Sequence, residues 1–142
     1  MEFSIARMTP QDYDEVVRLW QSAPGVGLTE ADSRESIARY LRRNPGISLV
    51  ARRAGQLVGA VLGGHDGRRG YVHHLAVAPE CRRQGVGRVL AEGCLAALRR
   101  AGIRRCHIFV MRENAEGQAF WQALGWKRRD DLQVMSRDIE PA

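Results

Sequence analysis

The feature that most constrains this chain is one junction. Tyr71-Val72-His73-His74-Leu75-Ala76-Val77 reads as a strand, and Ala78-Pro79-Glu80-Cys81-Arg82-Arg83-Gln84-Gly85-Val86-Gly87-Arg88 follows it directly. Val86, Val89, Leu90, Cys94, Ala97 and Leu98 then recur at helical spacing up to Gly102. A strand, a glycine-bearing loop and an amphipathic helix in that order call for a layered α/β fold.

The flanks extend the pattern. Glu2 to Met8 alternates as a short strand, and Thr9-Pro10-Gln11-Asp12 is a helix start with a hydroxyl cap, an early proline and an acid. Tyr13, Val16, Val17 and Trp20 make one face of that helix. A second helix is expected from Thr29-Glu30-Ala31-Asp32, with Ile37, Tyr40 and Leu41 inward, ending before Asn44-Pro45-Gly46. Ile47 to Arg52 and Gln56 to Gly64 form a hairpin about Ala54-Gly55. Cys106 to Val110 is expected as a strand, Asn114 to Leu124 as a helix stopped by Gly125, and Leu132 to Asp138 as a closing strand. The order β-α-α-β-β-β-α-β-α-β gives a mixed α/β sheet with helices on both faces.

At 142 residues, with no linker or repeat, the expectation is one domain over residues 1–142. Such a chain buries about 70% of its unfolded surface and needs no staple. Accordingly Cys81, Cys94 and Cys106, an odd set without a CxxC pair, read as core residues rather than disulfides or zinc ligands. His65, His73, His74 and His107 add no metal spacing, so no metal is expected. No apolar run approaches the ~20 residues of a membrane span. The N-terminal residues lack a signal pattern, which points to a cytoplasmic protein.

The net charge is +6, and among the 22 basic residues only Lys127 is a lysine. The arginines fall largely in doublets, such as Arg82-Arg83, Arg99-Arg100 and Arg104-Arg105. That charge favours a polyanionic ligand: nucleic acid, anionic lipid or a phosphorylated cofactor. Aromatics are only 6%, low for base stacking, and no recognition motif is present, so neither nucleic acid nor membrane is the expected partner.

The junction itself selects the phosphorylated ligand. Gly85 and Gly87 lack Cβ atoms and let a ligand approach the backbone. The first amides of the following helix have no acceptor within it, and its positive dipole end faces the same place. Arg82, Arg83 and Arg88 add forked donors suited to phosphate oxygens. The lysine and hydroxyl of a P-loop are absent, as are the third glycine and ribose-binding acid of a dinucleotide fingerprint.

Leu75-Ala76-Val77-Ala78-Pro79 through Arg82-Arg83-Gln84-Gly85-Val86-Gly87 resembles the GCN5-related N-acetyltransferase (GNAT) superfamily, with its [R/Q]xxGxG/A signature after a strand ending LxVxP. Asn114 and Phe120-Trp121-Gln122-Ala123-Leu124-Gly125-Trp126 match a second motif of that family, and the resemblance covers nearly the whole chain. It implies a mostly antiparallel central sheet with splayed middle strands and helices on both faces. It also implies acetyl-CoA as co-substrate and a primary amine as acceptor. By this resemblance Arg82, Arg83, Gln84, Gly85, Val86, Gly87 and Arg88 cradle the CoA pyrophosphate. Leu75, Ala76 and Val77 offer main-chain groups to the pantetheine arm and thioester, and Asn114 hydrogen-bonds the pantetheine. A β-bulge fits that role, since it splays strands and frees a main-chain donor for the acetyl oxygen.

Attack on a thioester needs a neutral amine, and alkylamines have pKa values of about 10. His73 is the expected base: it lies two residues before Leu75, hence on the same strand face, and one branch of the family has a histidine there. His74 is expected on the opposite face. The family's usual acid, a tyrosine on the last helix, is replaced by Trp121, whose indole is no useful proton donor. The acceptor side is expected around Pro24 to Glu30. Its amine could belong to a small molecule or to a protein N-terminus, as in the ribosomal-protein type of enzyme. The alternative function is a CoA-binding module without catalysis, and the sequence leaves a homodimer open.

Overall fold

The computed structural model describes residues 2–140, and the chain divides into two compact units, Met1–Met111 and Arg112–Ala142. In the first, β1 (Ser4–Arg7) leads into a 3-10 turn at Pro10–Asp12 and then helix α1 (Tyr13–Ser22). Thr9 and Asp12 form a capping box, the Thr9 amide donating to Asp12 Oδ2 at 2.8 Å. The second helix starts later than the sequence suggested. Thr29 caps only a 3-10 turn, Glu30–Asp32, and Ser33 caps α2 (Arg34–Arg43) by accepting from the Ser36 amide. Two N-caps four apart each start a helical segment of their own, so the stretch breaks in two.

Strands β2 (Leu49–Arg53), β3 (Gln56–His65) and β4 (Gly70–Val77) follow as a meander, and helix α3 (Val86–Arg100) carries the chain to β5 (Cys106–Ile108). The sheet order is β1-β2-β3-β4-β5, antiparallel throughout except for the parallel β4–β5 pair. A helix between parallel neighbours is the usual way to connect them, since a tight turn cannot.

Helices cover both faces of the sheet. On one, Val16 and Trp20 of α1 and Ile37 of α2 pack with Val50, Ala60, Leu62 and Ala76. On the other, α3 lies so close that a Cβ on Gly59 would meet Leu90 and Val86, and one on Gly63 would strike the Cys94 sulfur. Cys81 and Cys94 are buried, as expected of core cysteines. The buried Ser48 hydroxyl takes the Gly63 amide at 2.9 Å and so keeps the β2 entry satisfied. Among the described residues no helix is long and apolar enough to cross a membrane.

The second unit holds α4 (Ala115–Ala123), with Gly125 in the left-handed region beyond its end. The expected closing strand at 132–138 is not formed. Its alternation is present, but Leu132, Val134 and Met135 are exposed, and a strand is stabilised by cross-strand and face contacts rather than by pattern.

Candidate active site

The candidate site begins at a fault in the β3–β4 ladder. His73 pairs with Leu62 and Ala76 with Ala60, so β4 spends three residues where β3 spends two. This is a β-bulge, and its extra residue lies at His74–Leu75. His74 takes the left-handed conformation, φ 53°, which a residue with a Cβ adopts only at a cost of roughly 1–2 kcal/mol. On the other edge of β4, pairing with β5 stops at Val72 and Ile108. Residues 73–77 of β4 therefore lie beyond the β4–β5 ladder, the splay that the resemblance implied.

The bulge overturns the face assignments made from alternation. His73 faces with its partner Leu62, on the α1–α2 side. His74 faces the same way: its ring meets the edge of Trp20 at 4.9 Å, and its Nε2 is 2.9 Å from Asp32 Oδ1. Ala76 also lies on that side, with Ala60 and Trp20, so alternation puts Leu75 and Val77 towards α3. His73 and Leu75 thus occupy opposite faces, because the extra residue shifts the period by one.

Around His73 the environment is aromatic. Its ring stacks with Tyr71 at 6.4 Å and lies 6.1 Å from Phe109 and 6.2 Å from His74. Burial holds the His73 imidazole below the usual histidine range; His74 adds to the effect and Asp32 opposes it. A half-buried imidazole kept neutral is a competent proton acceptor at neutral pH.

The loop after β4 has the features of an anion cradle. Pro79–Cys81 makes a 3-10 turn that buries Cys81 and leaves Arg82, Arg83 and Gln84 exposed. Arg83 and Gly85 both have positive φ, 62° and 86°. Gly85 occupies the N-cap position of α3, so no side chain caps the helix, and its first turn carries no acid. Among the described residues nothing lies within 4 Å of a Cβ placed on Gly85. Exposed Arg88 follows in the first turn, while Val86 anchors the helix in the core. A helix start with no side-chain cap and no acid in its first turn, beside three arginines, fits a pyrophosphate. Arg82 Nε also donates to the Val77 carbonyl at 3.4 Å, tying the loop to the strand end.

In the second unit, Asn114 Oδ1 accepts the Gly117 amide at 2.9 Å as the N-cap of α4. That leaves the Asn114 amide nitrogen as a donor. Trp121, 7% exposed, meets Phe120 and Trp126 edge-on, each at 5.0 Å. The Asp32–His74 pair escaped the sequence reading. Its members are 42 residues apart, and the only local signal at Asp32 is its capping box with Thr29. Among the described residues no three His, Cys, Asp or Glu side chains gather as a metal site.

Comparison with known proteins agrees with this geometry. Residues 13–126 match the model of the acetyltransferase (GNAT) family. The acetyltransferase SG1711 of Sodalis glossinidius (strain morsitans) is 28% identical over 128 residues, 90% of this chain and 89% of that protein. Among solved structures, Ard1 from Thermoplasma volcanium superposes with a TM-score of 0.76 at 26% identity, covering 88% of this chain and 82% of its own. The paia N-acetyltransferase from Thermoplasma acidophilum, solved in complex with coenzyme A, gives 0.77 at 19% identity over 92% of both chains. The five-stranded sheet, the splay beside β4 and the glycine-built helix start are those of an enzyme fold for acetyl transfer, and the chain belongs to the GNAT acetyltransferase family.

Proposed function

We propose that this protein moves an acetyl group from acetyl-CoA to a primary amine by direct attack in a ternary complex. The observation that carries this reading is the adjacency of the β4 bulge, the strand end freed from β5 and the uncapped start of α3. The CoA pyrophosphate lies against Arg82 to Arg88, with the amides at Gly85, Val86 and Gly87 donating to it. Main-chain groups of Leu75, Ala76 and Val77 hold the pantetheine arm and polarise the thioester carbonyl.

His73 takes one proton from the incoming ammonium, directly or through a water. The freed nitrogen lone pair attacks the carbonyl carbon, the C–S bond breaks, and the electron pair leaves on sulfur. A thiol with a pKa of about 8.5 leaves tolerably as thiolate, so the reaction proceeds without a tyrosine acid. The acylated nitrogen gives up its second proton to the departing thiolate, so the products are an N-acetyl amine and CoA, and the protein acts in the cytoplasm as one domain.

Trp121 in the place of that tyrosine favours a second reading, a CoA-binding module that does not turn over. One experiment separates them: acetyl-CoA is incubated with a panel of amines and peptides, thiol release is followed, and the acceptor mass is measured. Transfer to any acceptor supports the first reading. Calorimetric binding of CoA with no release across the panel supports the second.

A further inference from the structure

The bulge raises a question that the CoA reading leaves unanswered: what holds a histidine in the left-handed region. A non-glycine residue persists there only when its surroundings over-determine it. At His74 the surroundings are two. Trp20, fully buried on α1, puts its ring against the imidazole at 4.9 Å. Among the described residues the Trp20 indole N–H has no hydrogen-bond partner, so Trp20 offers the imidazole an edge-on ring contact and no hydrogen bond. Asp32 supplies the directional bond, Oδ1 to Nε2 at 2.9 Å, and is itself only 8% exposed.

Asp32 in turn closes the 23–33 segment. Its Oδ2 takes the Thr29 amide at 3.0 Å, and its main-chain carbonyl takes the Tyr13 hydroxyl at 2.7 Å. One carboxylate thus joins two structures that are otherwise far apart in sequence: the loop after α1, and the bulge whose main-chain groups face the thioester in the proposed reaction. Its two oxygens are each committed, one to either side.

We propose that His74 is a positioning residue for acetyl transfer: held by Asp32, it locks the β4 bulge and ties it to the acceptor-side segment 23–33. This rests on the acetyl-transfer reading above. His74 touches no reacting atom in it. It acts through the backbone at 74–76, where a shift of about 1 Å costs up to roughly 100-fold in rate, and through the loop that it closes.

Two variants separate this role from simple packing. His74→Gly removes the bond to Asp32 yet accepts positive φ without strain. His74→Gln keeps a donor near the Nε2 position. With acetyl-CoA and the best acceptor, His74→Gly should lose about 10–100-fold in kcat with KM for acetyl-CoA within about twofold, and His74→Gln should recover most of the loss. Hydrogen exchange needs no turnover: amides of residues 23–33 should exchange faster in His74→Gly than in wild type or His74→Gln. If His74→Gly does not fold, His74→Asn, which tolerates the left-handed region but has a shorter reach, is read in the same way. Wild-type kcat together with wild-type exchange in the glycine (or asparagine) variant overturns the proposal. Should wild type transfer no acetyl group, the functional reading fails, while the exchange of 23–33 still decides whether His74 latches the loop.

Discussion

His73 stands opposite Leu62 in the β3–β4 ladder, and Ala76, three residues on, stands opposite Ala60, two residues back. That single mismatch turns His74 towards Trp20 and Asp32 and puts both histidines on one side of the sheet. A regular strand would have separated them. The bulge therefore sets both the candidate base and the environment that keeps it neutral.

His73→Gln should lower turnover by roughly 10²–10⁴-fold with CoA affinity nearly unchanged, as expected for loss of a general base. Burial and His74 hold the His73 pKa below its ordinary value of ~6.5. The acid limb of the kcat/KM profile should accordingly lie below that value in wild type and vanish in the variant. Linkage gives a second readout. Because the folded state binds this proton less readily than the unfolded chain, its contribution to stability is present above about pH 6.5 and is lost as pH falls through the lower folded value. A profile that keeps its acid limb in His73→Gln would assign the base elsewhere.

Gly87→Glu should weaken CoA binding by at least about tenfold, since it sets a carboxylate among open amides and arginines in a helix turn that carries no acid. Titration calorimetry with CoA measures it. Arg99→Gln, at the far end of the same helix, lowers the net charge by the same single unit as the control and should bind CoA as wild type does. Equal affinities for all three proteins would move the pyrophosphate site away from this loop.

The parts of the fold that depend on neighbouring residues were legible in the sequence. Thr9 with Asp12 and the glycine stops at Gly102 and Gly125 are bonds or conformations within a few residues, and each stands where its motif placed it. The glycine-arginine loop was legible for the same reason. The facing of His73 and His74 was not, because period-two reasoning assumes an unbroken ladder and nothing in Tyr71-Val72-His73-His74 announces an extra residue. The strand expected at 132–138 failed for a related reason. Alternation describes what a strand would look like if a partner paired with it, and pairing is a long-range property.

Gly63→Ala should destabilise the fold by about 1–3 kcal/mol, the usual cost of overpacking a core. The added Cβ meets the Cys94 sulfur from α3 and the Ile47 Cγ2 at 2.9 Å. Thermal melting of Gly63→Ala against Gly63→Ala/Cys94→Ala tests the cause: removing the sulfur should recover a substantial part of the loss. If the double variant melts no higher than the single one, Ile47 rather than α3 limits the space.

Trp121→Phe should leave the chemical step nearly intact and cost stability instead. The resemblance puts a tyrosine acid at this position, and an indole N–H cannot replace its proton. What the ring does is pack: it is buried, with Phe120 and Trp126 edge-on at 5.0 Å on either side. Its carbonyl also accepts the Trp126 amide at 3.0 Å, so the ring sits at the turn that ends α4. Edge-to-face pairs contribute about 0.5–1.5 kcal/mol beyond their buried area, and a phenyl ring keeps only part of two such contacts. A fall in melting temperature with single-turnover acetyl transfer within about threefold of wild type is the expected pair of results at saturating acetyl-CoA. A drop beyond about 100-fold in that step, with melting unchanged, would instead place Trp121 in the chemistry.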